Sequence, residues 1–502
     1  MGNGWYDQAM GFGERPAIPD GRRIWTYREL GLRSRRFAET LLDGRLDLEE
    51  ARVAFMIEPG HDYVCVQRAI WMAGGVAVPL CVSHPAPALE HVLRDTIPIL
   101  VIAEEEFLRV LHPLCANQPG IRLLTMQDLE AGPKTATCML PQLEIARRAM
   151  ILYTSGTTHL PKGVVSTHAN LKAQMDMLIE AWEWSGADRT ICVLPLHHIH
   201  GIVNVVGCSL AVGAQCRFMP RFDAASVIEW LTSGDLTVFM AVPTIYFKLI
   251  TYLESLPSAR REEIRKQLAK LRLMVSGSAA LPVSVMEKWY TLSGHFLLER
   301  YGMTEIGMAI SNPYRGLRKP GHVGQPLPGV AMRLVGENGG IVEEEPGEIQ
   351  VKGTAVFGEY WNNTVATKAG FTEDGWFRTG DTAVLEDGYY RILGRTSVDI
   401  IKSGGFKISA LEIEELIRQY PGVSDCSVVG IPDEEWGEVV AVALVLRDSA
   451  AFQFEDLQHW LYGQLPRYKV PRRYRSMPDL PRNAMGKVTK KDLLPWFNVA
   501  SD

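Results

Sequence analysis

Up to about residue 330, short apolar, β-branched runs alternate with longer stretches of helical periodicity, and few folds accept that pattern. Ile191 to Leu194, Val238 to Val242 and Leu271 to Val275 read as strands; Ala169 to Trp182, Thr244 to Leu253 and Pro282 to Tyr290 read as helices. Strand, crossover helix and strand in repetition predict parallel α/β sheets. In such sheets ligands sit beyond the carboxyl ends of the strands. At 502 residues the chain also exceeds the size at which one core keeps growing, so at least two domains are expected.

Polar clusters fall where that rule places ligands. Ser276-Gly277-Ser278-Ala279-Ala280 follows one strand, and Tyr301-Gly302-Met303-Thr304-Glu305 follows the run from His295 to Arg300. The most specific cluster is Ile151-Leu152-Tyr153-Thr154-Ser155-Gly156-Thr157-Thr158-His159-Leu160-Pro161-Lys162-Gly163, an apolar strand leading into a hydroxyl-rich loop that ends in lysine. Backbone N–H groups and hydroxyls donate to phosphate oxygens, Gly156 and Gly163 allow close approach, and Lys162 supplies charge. It is not a Walker A loop, because Pro161 precedes the lysine and Gly163 follows it. The competing reading is an ordinary surface turn.

An apolar content of 47% with 22% charged residues excludes a disordered chain, and a net charge of −6 gives no reason to expect nucleic acid or an anionic membrane as partner. Charge is uneven, however: from Arg467 to Lys491 nine Lys/Arg face one acid, Asp479. That stretch meets a phosphorylated ligand or is a solvated face; with little aromatic interleaving it does not suggest nucleic acid. Eight cysteines without a C-x-x-C pair suggest reduced, buried thiols. No run reaches transmembrane length and no secretory signal opens the chain, so the sequence as it stands reads as soluble and cytoplasmic.

From about 340 to 395 short strands and turns take over. Counting outward from Asp387-Gly388 brings Asp381 and Arg395 to the same open end of a hairpin, where they share a ligand or form a salt bridge. Beyond it, Ser409 to Glu412 reads as a capping box opening a helix through Tyr420; strands at Ser427 to Ile431 and Val439 to Leu446 and a helix from Phe454 to Leu465 complete a small α+β unit. The expected division is residues 1–396 and 397–502.

Seven segments in order resemble the acyl-adenylate-forming superfamily of acyl-CoA synthetases, adenylation domains and luciferases: Tyr153 to Gly163, Leu194 to Gly201, Ser276 to Ala280, Tyr301 to Glu305, Thr379-Gly380-Asp381, Gly394-Arg395, and Pro481 to Lys487. The resemblance spans nearly the whole chain. Leu298 to Met308, Lys319-Pro320-Gly321 and Val323 to Val330 look like the malonyl-CoA synthetases; Gly394 to Gly405 and Ala241 to Tyr246 look like the mitochondrial malonyl/methylmalonyl-CoA synthetases of animals.

The implied fold is a large domain of two α/β subdomains with a small β-barrel-like subdomain, followed by a mobile α+β domain. The implied reaction joins a carboxylate to coenzyme A through an acyl-adenylate, with ATP, Mg²⁺ and CoA as the small-molecule requirements. By similarity Thr154, Ser155, Gly156, Thr157, Thr158 and Lys162 cradle the β/γ-phosphates, Thr304 contacts the α-phosphate and Glu305 holds Mg²⁺. Tyr301 and Gly302 pack at adenine with the Ser278, Ala279 and Ala280 backbone, Asp381 takes the ribose hydroxyls and Arg395 supports them. Lys487 is the catalytic cation, His198 lines the acyl site, and Lys402, Gly404, Gly405, Arg467 and Lys469 contact CoA after a hinge rotation beyond Arg395. A second carboxylate in the substrate needs a fixed cation; Arg300, with His200 nearby, fits malonate, unless Arg300 only pairs with Glu299.

Metal binding by His197, His198 and His200 is disfavoured, since adjacent residues on an extended segment diverge and no carboxylate or Cys lies close in sequence. His159 stands at a loop position usually held by Gly in the family, where a positive φ would strain it. The segment Thr396-Ser397-Val398 before Asp399 is one residue longer than in most relatives. Other readings stay open: a short- or medium-chain acyl-CoA synthetase, a non-catalytic nucleotide-binding protein, and, by resemblance, the mitochondrial matrix as compartment.

Overall fold

A computed structural model describes residues 11–21, 23–133, 139–154, 161–447, 452–483 and 486–498. Four main sheets order the chain. The first has seven strands in the spatial sequence Glu359–Tyr360, Lys162–Thr167, Arg148–Thr154, Val76–Pro79, Arg52–Met56, Leu100–Ala103 and Arg122–Thr125. Its last five run parallel. Alternation along Arg52–Met56 shows how it is held: Val53 and Phe55 pack with Leu30, Phe37 and Ile70 of the helices Tyr27–Leu42 and His61–Met72. Ala54 and Met56 pack on the other face with Leu89 and Leu93 of Ala86–Thr96. Burial on both faces explains the continuously apolar strands.

The second sheet orders Gln215–Phe218, Arg189–Cys192, Val238–Ala241, Leu273–Ser276 and Leu298–Met303 in parallel, then adds Gly307–Ser311 and Gln325–Pro326 antiparallel. The strand expected at Ile191 to Leu194 ends at Cys192, two residues before Leu194 and Pro195. Tyr301 to Met303 extend a strand instead of lying beyond it.

Residues Ala331–Arg395 form the third, five-stranded antiparallel sheet. Its last hairpin has the register expected from the Asp-Gly turn: Asp381 opposes Arg395, and Asp387 and Gly388 both take positive φ, 52° and 77°. The fourth sheet uses only residues after Arg395: Ile400–Ser403, Phe406–Ser409, Val423–Asp433, Gly437–Leu446 and Arg473–Ser476. The Ser409 hydroxyl accepts from Glu412 N–H, as expected of the cap, but the helix ends at Ile417 and not at Tyr420. The later helix stops at Tyr462, where Gly463 follows. Among the described residues no helix is long and apolar enough to cross a membrane, and all seven cysteines are buried and unpaired.

Candidate functional site

The phosphate loop connects two antiparallel strands, Arg148–Thr154 and Lys162–Thr167, in which Thr154 opposes Lys162. The elements that flank it therefore pair as two antiparallel strands, not as a strand and a crossover helix. Ser155, Gly156, Thr157, Thr158 and His159 lie outside the described residues. Around the hairpin base the Tyr153 hydroxyl donates to Asp95 at 2.5 Å, and the Lys162 ammonium stands 5.2 Å from the Tyr360 ring centre. Gly163 is needed for close packing, since a Cβ there would lie 2.9 Å from Ile151 Cγ2.

The residues expected to hold the nucleotide lie where the third sheet meets the second. The Tyr301 hydroxyl donates to Asp381 Oδ2 at 2.6 Å, and Arg395 Nη1 lies 3.5 Å from Oδ1. Burial raises the Asp381 carboxyl above its ordinary pKa, while Arg395 and Tyr301 oppose that rise. Thr304 and Glu305 are buried beside Tyr301, and Glu305 Oε1 accepts from the Tyr360 hydroxyl at 2.9 Å. Burial likewise raises the Glu305 carboxyl. Ala279 and Ala280 are exposed.

On the acyl side, Arg300 emerges from the strand Leu298–Met303 and is 2% exposed. Its Nη2 donates to Ser278 Oγ at 3.1 Å, whereas Nε has no hydrogen-bond partner. Among the described residues no ion pair joins Glu299 to it: successive strand residues point to opposite faces, and Glu299 Oε1 accepts from Leu281 N–H at 2.9 Å, although the Glu299 charge still acts to raise the Arg300 pKa. Burial pushes the Glu299 carboxyl up to about 8 and works against the Arg300 charge, bringing it to about 9, so the guanidinium stays charged at neutral pH. Space for it exists because residue 277 is glycine; a Cβ there would lie 2.5 Å from the guanidinium carbon. Ser278 holds a left-handed φ of 71°, the kind of backbone strain that clusters at functional sites.

The histidines line a turn that enters a π-helical segment, His200–Gly207, and not the extended segment that their sequence suggests. In this turn the rings of His197 and His198 do not diverge; their centres are 4.1 Å apart. His200 Nδ1 lies 3.2 Å from Ser278 Oγ, and His200 Nε2 has no partner. Burial lowers all three, His198 to about 3 with help from Lys487, and His200 with help from Arg300. They are neutral at pH 7.

Lys487 comes from the fourth-sheet unit. The turn Asn483 to Lys487 is closed by the bond from Asn483 N–H to Lys487 O, 2.9 Å. Gly486 packs against Thr244 of the helix Pro243–Glu254, where a Cβ would come 3.0 Å from Thr244 Oγ1. Solvent reaches Lys487, yet protein surrounds its ammonium: desolvation and the charges of Arg300 and Arg395 lower its pKa, while Asp381 and Glu305 raise it. The cation expected from the sequence therefore lies near enough to Asp381 and Glu305, and to Arg300, for their charges to act on it.

Arg482, Lys469 and Lys490 of the basic tail are engaged with acids of their own unit: Arg482 with Asp425, Lys469 with Glu412, and Lys490 with Asp399 and Glu414. Gly404, Gly405, Arg467 and Lys469 gather around the stacked rings of Phe406 and Tyr468, 4.1 Å apart. Their partners include Trp436 against Gly404, Tyr462 under Arg467, and Glu412 on Lys469; the backbone N–H of Lys402 donates to Glu438. Sequence reasoning missed Tyr360, Gly277 and the role of Ser278 as a bridge between His200 and Arg300. Only the Ser276 to Ala280 cluster gave a signal for the last two.

The AMP-binding enzyme profile matches residues 5–361, and the AMP-binding enzyme C-terminal domain profile matches residues 412–487. The chain belongs to the AMP-binding enzyme family. Within this family it is 45% identical to the mitochondrial malonate–CoA ligase ACSF3 of Xenopus laevis, over 98% of this chain and 91% of that protein. The ATP-bound structure of MatB from Rhodopseudomonas palustris superposes with a TM-score of 0.90 at 32% identity, covering 99% of each chain. The o-succinylbenzoate CoA synthetase of Bacillus subtilis, in complex with ATP and a magnesium ion, superposes with a TM-score of 0.85 at 25% identity, covering 97% of this chain and 98% of the other.

Proposed function

We propose that this chain is an ATP-dependent malonate–CoA ligase, which forms malonyl-adenylate and pyrophosphate and then transfers the acyl group to coenzyme A with release of AMP. The observation that carries the choice of malonate is Arg300: a buried guanidinium with an unengaged Nε, no carboxylate partner within ion-pair distance among the described residues, and Lys487 as a cationic neighbour. A monocarboxylate would satisfy Lys487 and leave Arg300 uncompensated. A dicarboxylate satisfies both, one group at the reacting end and the other held by the guanidinium. His200, neutral and with Nε2 free, suits a small polar acid better than an alkyl chain.

The first step brings two anions together, and fixed positive charge lowers their repulsion as the pentacoordinate phosphorus forms. Lys487 supplies that charge to the attacking carboxylate and the α-phosphate, with Thr304 donating to the latter. His198 is neutral, so it orients the acyl group without adding charge. Asp381 takes the ribose hydroxyls with Arg395 behind it, Tyr301 and Gly302 border adenine with the Ser278, Ala279 and Ala280 backbone, and Thr154 and Lys162 with the loop between them receive the β/γ-phosphates. Glu305 fits the oxygen-donor chemistry of Mg²⁺, buried and steadied by Tyr360. The metal, when bound, neutralises phosphate charge.

For the second step the unit 397–502 turns about the segment 396–399, withdrawing Lys487 and presenting Lys402, Gly404, Gly405, Arg467 and Lys469 to coenzyme A. The thiol then attacks the acyl carbonyl and AMP leaves. The mitochondrial relatives extend the reading to the mitochondrial matrix as compartment, and methylmalonate is the second substrate to test. Pyrophosphate release measured with malonate, methylmalonate and butyrate decides the matter: malonate should lead by about 10²-fold in kcat/KM, from a charge-assisted interaction of about 2–3 kcal/mol. Butyrate turning over as well as malonate would overturn the assignment, and ATP binding without turnover of any acid would overturn the enzyme reading.

A further inference from the structure

In sequence Cys81 and His84 lie far from the histidine cluster; the fold brings them to it. Two residues after the strand Val76–Pro79, at the ligand-binding end of the first parallel sheet, a turn closed by His84 N–H donating to Cys81 O at 3.1 Å carries both Cys81 and His84. Facing it, from the segment that follows Arg189–Cys192 in the second sheet, comes His197, whose ring centre lies 5.5 Å from that of His84. One ligand atom each from Cys81, His84 and His197 fall within 4.8 Å of one another.

We propose that Cys81, His84 and His197 form a binding site for a soft divalent cation of the Zn²⁺ class, joining the two sheets at the rim of the acyl side. Two observations agree. The donor set is one thiol and two imidazoles, which suits zinc and not Mg²⁺. His197 is 8% exposed and its Nε2 has no hydrogen-bond partner, which is costly for a buried polar atom unless something fills the place.

Tetrahedral zinc with bonds of about 2.0–2.3 Å sets neighbouring ligand atoms roughly 3.3–3.8 Å apart, so the three must draw in by about 1 Å, a side-chain adjustment. His84 is half-buried and gives the ion a way in. On binding, the Cys81 thiol releases its proton to solvent as the sulfur–metal bond forms, no oxidation state changes, and a fourth position stays open for water. This site is separate from Glu305, whose oxygen donors suit a harder ion.

The test uses the full chain, reduced and stripped with chelator, titrated with Co²⁺ alone and then with Zn²⁺. The expected result is one Co²⁺ per chain, a thiolate-to-cobalt charge-transfer band in the near ultraviolet, displacement by Zn²⁺ and no displacement by millimolar Mg²⁺. Cys81→Ser should remove the band, and His84→Asn should weaken binding at least about tenfold. Because His197 is buried, His197→Asn is read beside the half-buried His84→Asn, and Zn²⁺ should raise the melting temperature of the wild type but not of Cys81→Ser. Cobalt uptake without the band, uptake unchanged in Cys81→Ser, or no stoichiometric uptake by the wild type would each overturn the proposal.

Discussion

The two halves of the cleft treat their charges in opposite ways. On the nucleotide side the key groups are already matched: Asp381 has Tyr301 and Arg395, and Glu305 has Tyr360. On the side proposed to take the acid, among the described residues Arg300 has only the Ser278 hydroxyl as a hydrogen-bond partner, His197 and His200 each keep an unpartnered nitrogen, and the nearby Lys487 adds repulsion. A paired network is rigid before its ligand arrives, which suits the nucleotide proposed to bind there. A buried cation without an ion-pair partner is stabilised when the right anion enters, and the proposed selectivity rests there.

The most severe way to break this contrast is to remove the group on which charges of both halves act. Lys487→Ala should lower adenylate formation by about 10²–10³-fold, the scale of losing one electrostatic stabiliser of the transition state, while thioester formation from synthetic malonyl-adenylate stays largely intact. Equal loss in both half-reactions would remove Lys487 from its proposed role. Because protein surroundings and Arg300 lower the Lys487 pKa, adenylation should also fall on the alkaline side at a pH below 10.5, and this limb should vanish from the thioester half-reaction.

Next in size, Arg300→Ala should cost about 10–10²-fold in kcat/KM for malonate and leave the KM for ATP near its original value. Malonate kinetics unchanged in this variant would end the dicarboxylate reading. Asp381→Asn should do the reverse, raising the KM for ATP by about tenfold or less with little change for malonate, because neutral hydrogen bonds contribute about 1 kcal/mol each. If both variants affected both substrates alike, the two halves would not be separable.

The smallest effect is on stability in acid. His198 takes its proton at about 3 in the folded chain against 6.5 as an ordinary histidine, so the unfolded chain binds that proton first. Its contribution is fully present above 6.5 and is lost as pH falls from there through about 3. Melting temperature measured across that window should drop less steeply in His198→Asn than in the wild type.

How far the sequence could be read depended on what joined the residues. Asp381 and Arg395 were legible as a pair because an Asp-Gly turn fixes hairpin register locally. The alternation of strands and helices likewise foretold both parallel sheets, since burial on two faces demands apolar strands. What escaped was assembled by tertiary contact. Tyr360 reaches Glu305 from 55 positions away, and Ser278 reaches His200 across 78. Local reasoning also misjudged the histidine turn, where a π-helical segment replaced the extended chain that would have splayed the rings.

Gly277 leaves its Cα bare directly beneath the Arg300 guanidinium. A methyl group at that position would collide with the guanidinium carbon and displace the cation, although residue 277 is not itself among those proposed to hold the acid. Retuning such a ligase toward uncharged acids thus has two entry points, residue 300 and the floor under it, and a lineage that first enlarges residue 277 would find Arg300 already dispensable.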